Sequence, residues 1–145
     1  SRGLFRSLPG GPACSMVTAD QLVLSMDFDS LKKAGTGLGS AGVIVVDDAT
    51  CMVALTLKFS NFFKVESCGQ CPPCRMGTIN LAALMAKIEQ GEGTEKDMES
   101  LLKKCGYGKG KGNCTRVKGE AGWGKSSIKR SHQEFEENSR VQTCR

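Results

Sequence analysis

Three cysteines in one short segment carry the most distinctive chemistry of this chain. Cys68, Cys71 and Cys74 follow one another at the spacing C-x2-C-x2-C. Three thiolates in one tight turn can bind three corners of a cubane iron–sulfur cluster, and the fourth corner then needs a cysteine from elsewhere. Gly69 and Pro72 in the same segment suit a backbone that wraps closely around a cluster. The spacing therefore predicts a four-cysteine [4Fe–4S] centre.

The alternative metal for these cysteines is structural zinc. Zinc sites more naturally use two separated pairs of ligands than three thiolates in one turn. The chain has eight cysteines in 145 residues, but it shows no export signal of the kind that accompanies a secreted disulfide framework. We therefore favour iron–sulfur chemistry and keep a zinc-stabilised interaction module as an alternative.

The fourth thiolate has five candidates, which are Cys14, Cys51, Cys105, Cys114 and Cys144. Cys105 lies on the apolar stripe of a predicted helix, where a buried thiol is an ordinary core residue. Cys51 stands at a predicted helix start, and Cys144 lies in the C-terminal tail. Cys114 follows a predicted helical hairpin that can fold back onto the cysteine loop. Cys114 is therefore the preferred fourth ligand.

Two glycine-rich motifs suggest phosphate binding. Gly119–Ser126 satisfies the P-loop pattern G-x4-G-K-S, in which backbone amides and Lys125 would hold phosphates. A P-loop follows a buried strand, which residues 115–118 do not resemble. Gly37–Gly42 matches G-x-G-x-x-G but precedes a predicted strand instead of following one, so we predict a turn there. Nucleotide binding through Lys125 and Ser126 remains the second alternative function.

Other polar residues have simpler explanations than catalysis, and we predict no catalytic residue. Asp47 and Asp48 are neighbours at a strand end and point to opposite sides, so helix capping is the better explanation for both. His132 lies on a predicted helix face without a nearby nucleophile. Arg75 follows the last cysteine of the loop, where it either offsets cluster charge or makes a surface salt bridge.

The elements that must position the cysteines are mostly helical. The β-branched run Val43–Val46 predicts a buried strand, and residues 1–26 show little periodicity. Apolar residues at steps of three or four, together with a capping box at Thr94 and Asp97, predict a series of helices. Their predicted ranges are Phe28–Lys33, Cys51–Lys64, Thr78–Gln90, Thr94–Cys105 and Ser126–Arg140, with a compact loop over residues 66–77.

The C-terminal part of the chain is basic. Nine Lys or Arg residues and one acid lie between Lys103 and Arg130. A basic stretch invites nucleic acid or anionic lipid, but no aromatic residues interleave these lysines as a stacking platform. We therefore predict a solvated Gly/Lys-rich loop over residues 106–125 and no nucleic-acid partner. Since no run of 18 apolar residues exists, we expect no direct membrane insertion.

Several segments, taken together, resemble a known family. They are Gly10-Gly11, Met26–Asp29, Thr36–Gly39, Val43–Asp47 and Glu66–Cys71. They resemble the NADH-binding flavoprotein subunit of respiratory complex I, whose C-terminal module recurs in NAD-linked hydrogenases and formate dehydrogenases. The likeness covers most of residues 9–140, and the cysteine motif is its most specific part.

The resemblance implies a fold and a ligand set. It implies an α+β, mostly α chain in which the end of a ubiquitin-like (β-grasp) insert precedes a four-helix iron–sulfur bundle. We accordingly expect an insert remnant with one buried strand over residues 1–50, a helical cluster-binding domain over 51–140 and a tail over 141–145. In the family the fourth cluster ligand lies at very similar spacing, which the resemblance carries onto Cys114.

The resemblance also implies an electron-transfer function. In the family, NADH reduces FMN by hydride transfer, and single electrons then pass to this cluster and onward to quinone. The FMN- and NADH-binding segments lie upstream in the family and are absent from this chain, so the chain alone should not oxidise NADH. The implied partners are the flavin-bearing part of the same subunit and a neighbouring iron–sulfur subunit. The implied location is the matrix side of the mitochondrial inner membrane, with the bacterial cytoplasm as the alternative.

The chain departs from the family pattern at three places. The family usually has threonine where Pro72 stands and glutamate where Met76 stands. A basic stretch, Thr115–Lys118, replaces smaller and more apolar residues after Cys114. Because proline lacks an N–H group, one possible N–H···S hydrogen bond to the cluster is lost at Pro72.

Overall fold

The computed structural model describes residues 6–107, 110–114 and 116–141, with the backbone alone at 107, 117, 118, 120, 121 and 138–141. The described chain is mostly helical with a small two-stranded sheet, an α+β arrangement. Its elements in chain order are β1 (Arg6–Leu8), α1 (Phe28–Lys33), β2 (Ile44–Val46), α2 (Met52–Val65), α3 (Pro72–Glu89), α4 (Glu95–Tyr107), α5 (Arg116–Arg130) and α6 (His132–Val141), with 3-10 turns at Gly11–Ala13 and Ala19–Gln21.

The sheet pairs β1 with β2 in antiparallel register, with Leu8 opposite Ile44. The predicted strand is present, but the prediction that it is buried was wrong, since Val45 is 64% exposed while Val46 is buried. Successive side chains of a strand point to opposite faces, and in β2 Val46 faces the core while Val45 faces solvent. Strand β1 falls in the range predicted to be irregular, because its pairing partner lies far along the chain.

The predicted bounds of the first helices agree well with the structure. Helix α1 has the predicted range, and the Asp27 side chain caps it by accepting a hydrogen bond from the Ser30 amide at 2.8 Å. Helix α2 begins one residue later than predicted. Its N-cap is Cys51, whose Sγ lies 3.4 Å from the Ala54 amide, and not one of the aspartates before it.

Helix α3 begins at Pro72, six residues before the predicted start, so the cysteine segment is only partly a loop. Two prolines occupy its first two positions, where a missing N–H group costs nothing because those amides have no partner within a helix. The apolar periodicity from which the helix was predicted starts only after the cysteines. Cys74 therefore lies in the first turn of a helix.

Helix α4 begins with the predicted capping box. The Thr94 hydroxyl accepts a hydrogen bond from the Asp97 amide at 3.3 Å, and Asp97 Oδ2 accepts one from the Thr94 amide at 2.9 Å. The Lys87 ammonium at the end of α3 donates to the same carboxylate oxygen at 2.7 Å. This network fixes the turn between the two helices.

Helix α5 corrects the sequence prediction, because residues 116–125 were expected to be loop. Its glycines lower intrinsic helix propensity, but they allow close packing. A Cβ atom on Gly119 would lie 2.8 Å from Ala13 Cβ, and one on Gly124 would lie 2.7 Å from Cys105 Sγ. The single helix predicted for 126–140 is interrupted at Ser131. Residues 52–141 therefore contain five helices where they are described, instead of four.

Two clusters of buried residues hold these elements together. The larger one contains residues from all five helices α2, α3, α4, α5 and α6, which are Val53, Leu81, Met85, Ile88, Met98, Leu101, Cys105, Ile128 and Phe135. The smaller one joins the sheet to α2 and α5 through Leu8, Met16, Val46, Met52 and Trp123. Trp123 is 1% exposed and stands edge-on to Phe59 at a ring-centroid distance of 4.8 Å. In the part of the chain that is described, no helix has the length and apolar character needed to cross a bilayer.

The close packing of α5 predicts opposite effects for two glycine-to-alanine changes. Gly119→Ala should lower the free energy of unfolding by about 1–2 kcal/mol, because the Ala13 backbone leaves no room for the methyl group. A Cβ atom on Gly77 in α3 would have no neighbour within 4 Å. Gly77→Ala should therefore raise the free energy of unfolding by about 0.5–1 kcal/mol. Urea unfolding of the full chain measures both, and a stabilising Gly119→Ala would contradict the packing described for α5.

The capping box predicts a pH-dependent contribution to stability. The Lys87 hydrogen bond, followed by those from Thr94, holds the pKa of Asp97 well below its ordinary value of 3.8. The contribution is therefore present above the unfolded-state pKa and is lost as the pH falls through the folded-state pKa. Asp97→Asn should be less stable than the unchanged chain at pH 7, and the difference should shrink between about pH 5 and pH 2. A difference that is constant across this range in pH-dependent urea unfolding would contradict it.

Candidate metal centre

Four cysteines line one cavity of about 140 Å³. They are Cys68, Cys71, Cys74 and Cys114, and the same cavity is lined by Glu66, Gly112 and Arg116. A single water needs only about 10–15 Å³ of such space, so this cavity admits a group of several atoms. The structure thus brings together the four cysteines that the sequence analysis selected.

Three of the thiols are placed by the local structure at the start of α3. Gly69 has φ +81°, a left-handed conformation that glycine adopts without steric cost, and it turns the chain between the first two cysteines. Cys71 is the N-cap of α3, and Cys74 follows in the first helical turn. The Cys71 carbonyl accepts hydrogen bonds from the Cys74 and Arg75 amides at 2.9 and 3.0 Å. Cys74 is buried, with its Sγ 3.5 Å from the Ser67 hydroxyl.

Cys114 reaches the cavity from the segment between α4 and α5. The antiparallel return of α3 and α4 brings the chain back to the cysteine loop. The Asn113 amide donates a hydrogen bond to Cys71 Sγ at 3.4 Å, across 42 positions of sequence. Cys68 and Cys114 are exposed, whereas Cys71 is half-buried. The cavity therefore opens at the surface on the side of these two thiols.

An ion pair lies at the edge of the cavity. Arg116, the first residue of α5, donates through Nη1 to the Glu66 carbonyl and lies 3.4 Å from Glu66 Oε2. Neither contact was predicted from the sequence. Glu66 was noted only as part of the cysteine motif, and Arg116 only as a departure from the family pattern, since their 50-residue separation carries no local signal.

The thiols do not form a site for a single ion. Among the described residues, no three Cys, His, Asp or Glu side chains lie close enough together to hold one metal ion. Tetrahedral zinc with bonds of about 2.3 Å would draw its sulfurs to about 3.8 Å from one another. A cubane attaches each thiolate to a different iron atom and accepts a wider spacing. Four thiols around a cavity of this size fit a cluster better than a single ion.

The remaining cysteines lie elsewhere. Cys14 is buried against Gly10 and Gly39, and this burial raises the pKa of its thiol. Cys51 caps α2, and Cys105 belongs to the larger buried cluster. Cys144 lies outside the described residues. None of these three described cysteines, of which Cys51 is disulfide-bonded, lines the cavity.

The P-loop interpretation of Gly119–Ser126 was wrong, because the whole motif lies inside helix α5. Its amides are engaged in a helix and cannot cradle phosphate as a loop would. Ser126 Oγ accepts a hydrogen bond from the Met16 amide at 3.1 Å and donates to the Trp123 carbonyl at 3.0 Å. The motif therefore serves the packing of α5 against the N-terminal segment.

The other polar candidates also have structural roles. Residues 37–42 contain the predicted turn before β2, closed by a hydrogen bond from the Ala41 amide to the Leu38 carbonyl at 2.7 Å. His132 is exposed, with Nδ1 3.5 Å from Glu136 Oε1. Asp47 accepts a hydrogen bond from the Thr50 hydroxyl at 2.6 Å. Arg75 is exposed and donates to the Lys64 carbonyl at 3.3 Å, so its guanidinium is not among the groups that line the cavity.

Comparison with known proteins identifies a family. The family described as the NADH-ubiquinone oxidoreductase-F iron-sulfur binding region matches residues 54–138. One of the NADH-quinone oxidoreductase F subunits of Rhizobium meliloti, numbered 2, is 39% identical over 137 residues, which cover 94% of this chain and 32% of that protein. The NADH-quinone oxidoreductase F subunit of Escherichia coli is 39% identical over 129 residues, which cover 88% of this chain and 29% of that protein.

A solved structure shares the fold. The crystal structure of an NAD+-reducing [NiFe]-hydrogenase in the H2-reduced state matches with a TM-score of 0.81 and 26% identity. The match covers 97% of this chain and 23% of the hydrogenase chain. This chain spans about a third or less of the length of each of these relatives.

Proposed function

The chain belongs to the family of the iron–sulfur binding region of NADH-ubiquinone oxidoreductase F subunits, whose cofactor is a [4Fe–4S] cluster, and we propose that Cys68, Cys71, Cys74 and Cys114 bind this cluster. The observation that carries the proposal is the single cavity lined by all four thiols. When bound, the cluster accepts and releases one electron at a time. The chain is accordingly an electron-transfer module.

The residues around the cavity have distinct parts in this function. The four thiolates hold the cluster at a fixed place, and the turn at Gly69 lets three of them face one side. Pro72 and Pro73 leave the first two positions of α3 without amide donors near the thiolates. The exposure of Cys68 and Cys114 gives an electron partner access to one edge of the site.

The names of the relatives support a fuller assignment. In a complete subunit, electrons would come from FMN reduced by NADH and pass onward toward quinone. FMN and NAD would then be bound by parts of the subunit outside this chain, and the partners would be that flavin-bearing part and a neighbouring iron–sulfur subunit. The relatives described above are bacterial, which favours the bacterial cytoplasm over the mitochondrial matrix side as the location.

The domain division also belongs to the proposal. We infer that residues 1–50 are the end of a ubiquitin-like insert and that 51–140 form the cluster-binding domain, with 141–145 as a tail. The two-stranded sheet and the change to continuous helix at α2 support this boundary. The described break at Ser131 is compatible with a four-helix core of α2 to α5 to which α6 adds a fifth helix.

Zinc is the competing occupant of the same cysteines. It would require at least three of these thiols to share one ion, and no three described Cys, His, Asp or Glu side chains are placed to do so. Iron and acid-labile sulfide assays on protein prepared without oxygen separate the two functions. Zinc without iron and sulfide would overturn the cluster assignment.

Removing single thiols tests the ligand set. Cys68→Ser, Cys71→Ser, Cys74→Ser and Cys114→Ser should each strongly reduce the iron and sulfide retained after anaerobic reconstitution, because each removes one corner of the site. Cys105→Ser is the matched control and should retain the cluster, since Cys105 packs in the core. Loss of the cluster in Cys105→Ser together with its retention in Cys114→Ser would show that the fourth ligand is wrongly assigned.

Restoring an amide donor tests the role of Pro72. Pro72→Thr should raise the reduction potential of the cluster, because an N–H group near the thiolates favours the more negative reduced state. The expected rise is on the order of tens of millivolts, on a scale where about 59 mV is a tenfold change for a one-electron couple. An EPR-monitored redox titration measures it, and an unchanged or lower potential would exclude this role.

A further inference from the structure

The cavity is lined by a cation that the cysteine motif does not specify. Arg116 lies two residues after Cys114 and lines the same cavity as the four cysteines. It does so from the first position of helix α5. A positive charge is disfavoured there, since the N-terminal end of a helix already carries a partial positive charge.

The first turn of α5 contains no acid that would offset this cost. Residues 116–118 instead include a second cation, Lys118. A basic first turn is therefore unfavourable for the helix taken alone. The Glu66 carboxylate, 3.4 Å from Arg116 Nη1, offsets part of this cost, and the four thiolates of a bound cluster would add further negative charge near the cation.

The contacts of Arg116 join the two parts of the site. Its Nη1 donates to the Glu66 carbonyl at the C-cap of α2 and lies 3.4 Å from the Glu66 carboxylate. A cation at the C-terminal end of α2 interacts favourably with that helix. The contact ties the segment that carries Cys114 to the segment that begins the cysteine loop. An exposed ion pair of this kind contributes little to folding stability by itself. Its importance here is that it connects the two segments that carry the cysteines.

Arg75 provides an internal comparison. Its Nη1 also donates to a carbonyl at the end of α2, that of Lys64, at 3.3 Å, and it directly follows Cys74 in sequence. It does not line the cavity. The two arginines therefore make similar backbone contacts, while only Arg116 of the two lines the cavity.

We propose that Arg116 is a positioning residue of the cluster site, which holds the Cys114 segment against Glu66 and raises the reduction potential of the bound cluster by its charge. The inference rests on the proposed function, because it requires a cluster in the cavity. The effect on the potential follows from electrostatics, since a nearby positive charge stabilises the more negative, reduced cluster more than the oxidised one.

The test compares Arg116→Gln, Arg116→Lys and Arg75→Gln in the full chain after anaerobic reconstitution with iron and sulfide. Arg116→Gln should shift the one-electron equilibrium toward the oxidised cluster by about tenfold, a fall of about 59 mV in an EPR-monitored titration with dithionite. Arg75→Gln also removes one positive charge, but at a residue that does not line the cavity. It should lower the reduction potential by less than half as much. Arg116→Lys keeps the charge and should retain most of the potential.

Cluster retention tests the positioning role separately. The time for iron release to an added chelator should shorten in both Arg116 variants, because neither glutamine nor lysine has the guanidinium that contacts the carbonyl oxygen and Oε2 of Glu66. If Arg116→Gln fails to fold by circular dichroism, Arg116→Lys alone decides this part, and unchanged iron release in it overturns the positioning role.

The outcomes distinguish this inference from the function on which it rests. If the wild-type chain takes up no iron and sulfide, both the proposed function and this inference are overturned. If the wild-type chain carries the cluster but Arg116→Gln and Arg75→Gln have equal reduction potentials, the inference alone is overturned. If Arg116→Gln is less stable but its cluster keeps the wild-type reduction potential, Arg116 has a structural role only. This result also overturns the proposed charge effect.

Discussion

The meeting of two distant cysteine segments around one cavity is the constraint on which this structure depends. Forty positions separate Cys74 from Cys114, yet both thiols line the same space. Helices α3 and α4 span that interval as an antiparallel pair, fixed at their turn by the network of Lys87, Thr94 and Asp97. The chain has returned to the cysteine loop by Asn113, whose amide donates to Cys71 Sγ.

Helix α5 must then approach its neighbours closely to keep the returning segment in place. Its glycines permit this, since Gly119 packs on Ala13 and Gly124 on Cys105. The buried Trp123 between them contacts the cluster of side chains that includes the sheet residues Leu8 and Val46. The N-terminal sheet and the helical part thus share a core, although only the helical part carries the cysteines.

Charge and amide placement around the cavity bear on the redox chemistry proposed for this site. Two prolines at the start of α3 remove amide donors, while an arginine at the start of α5 adds a positive charge. Under the proposed function, the missing donors would disfavour a reduced cluster and the arginine would favour it, because hydrogen bonds and charge near the sulfurs both tune the potential. The two features would then act in opposite directions on one property.

The sequence by itself determined what depends on neighbouring residues: the three-cysteine loop, the amphipathic helices and the capping box all follow from local spacing. It also selected Cys114, which the structure brings to the cavity. Contacts between distant residues were decided only by the tertiary structure. These include strand β1, the helix formed by the glycine-rich residues after 115, and the pairing of Arg116 with Glu66. Glycine predicts a loop when only the local chain is considered, because the gain from close packing against Ala13 and Cys105 exists only once those distant residues are in place.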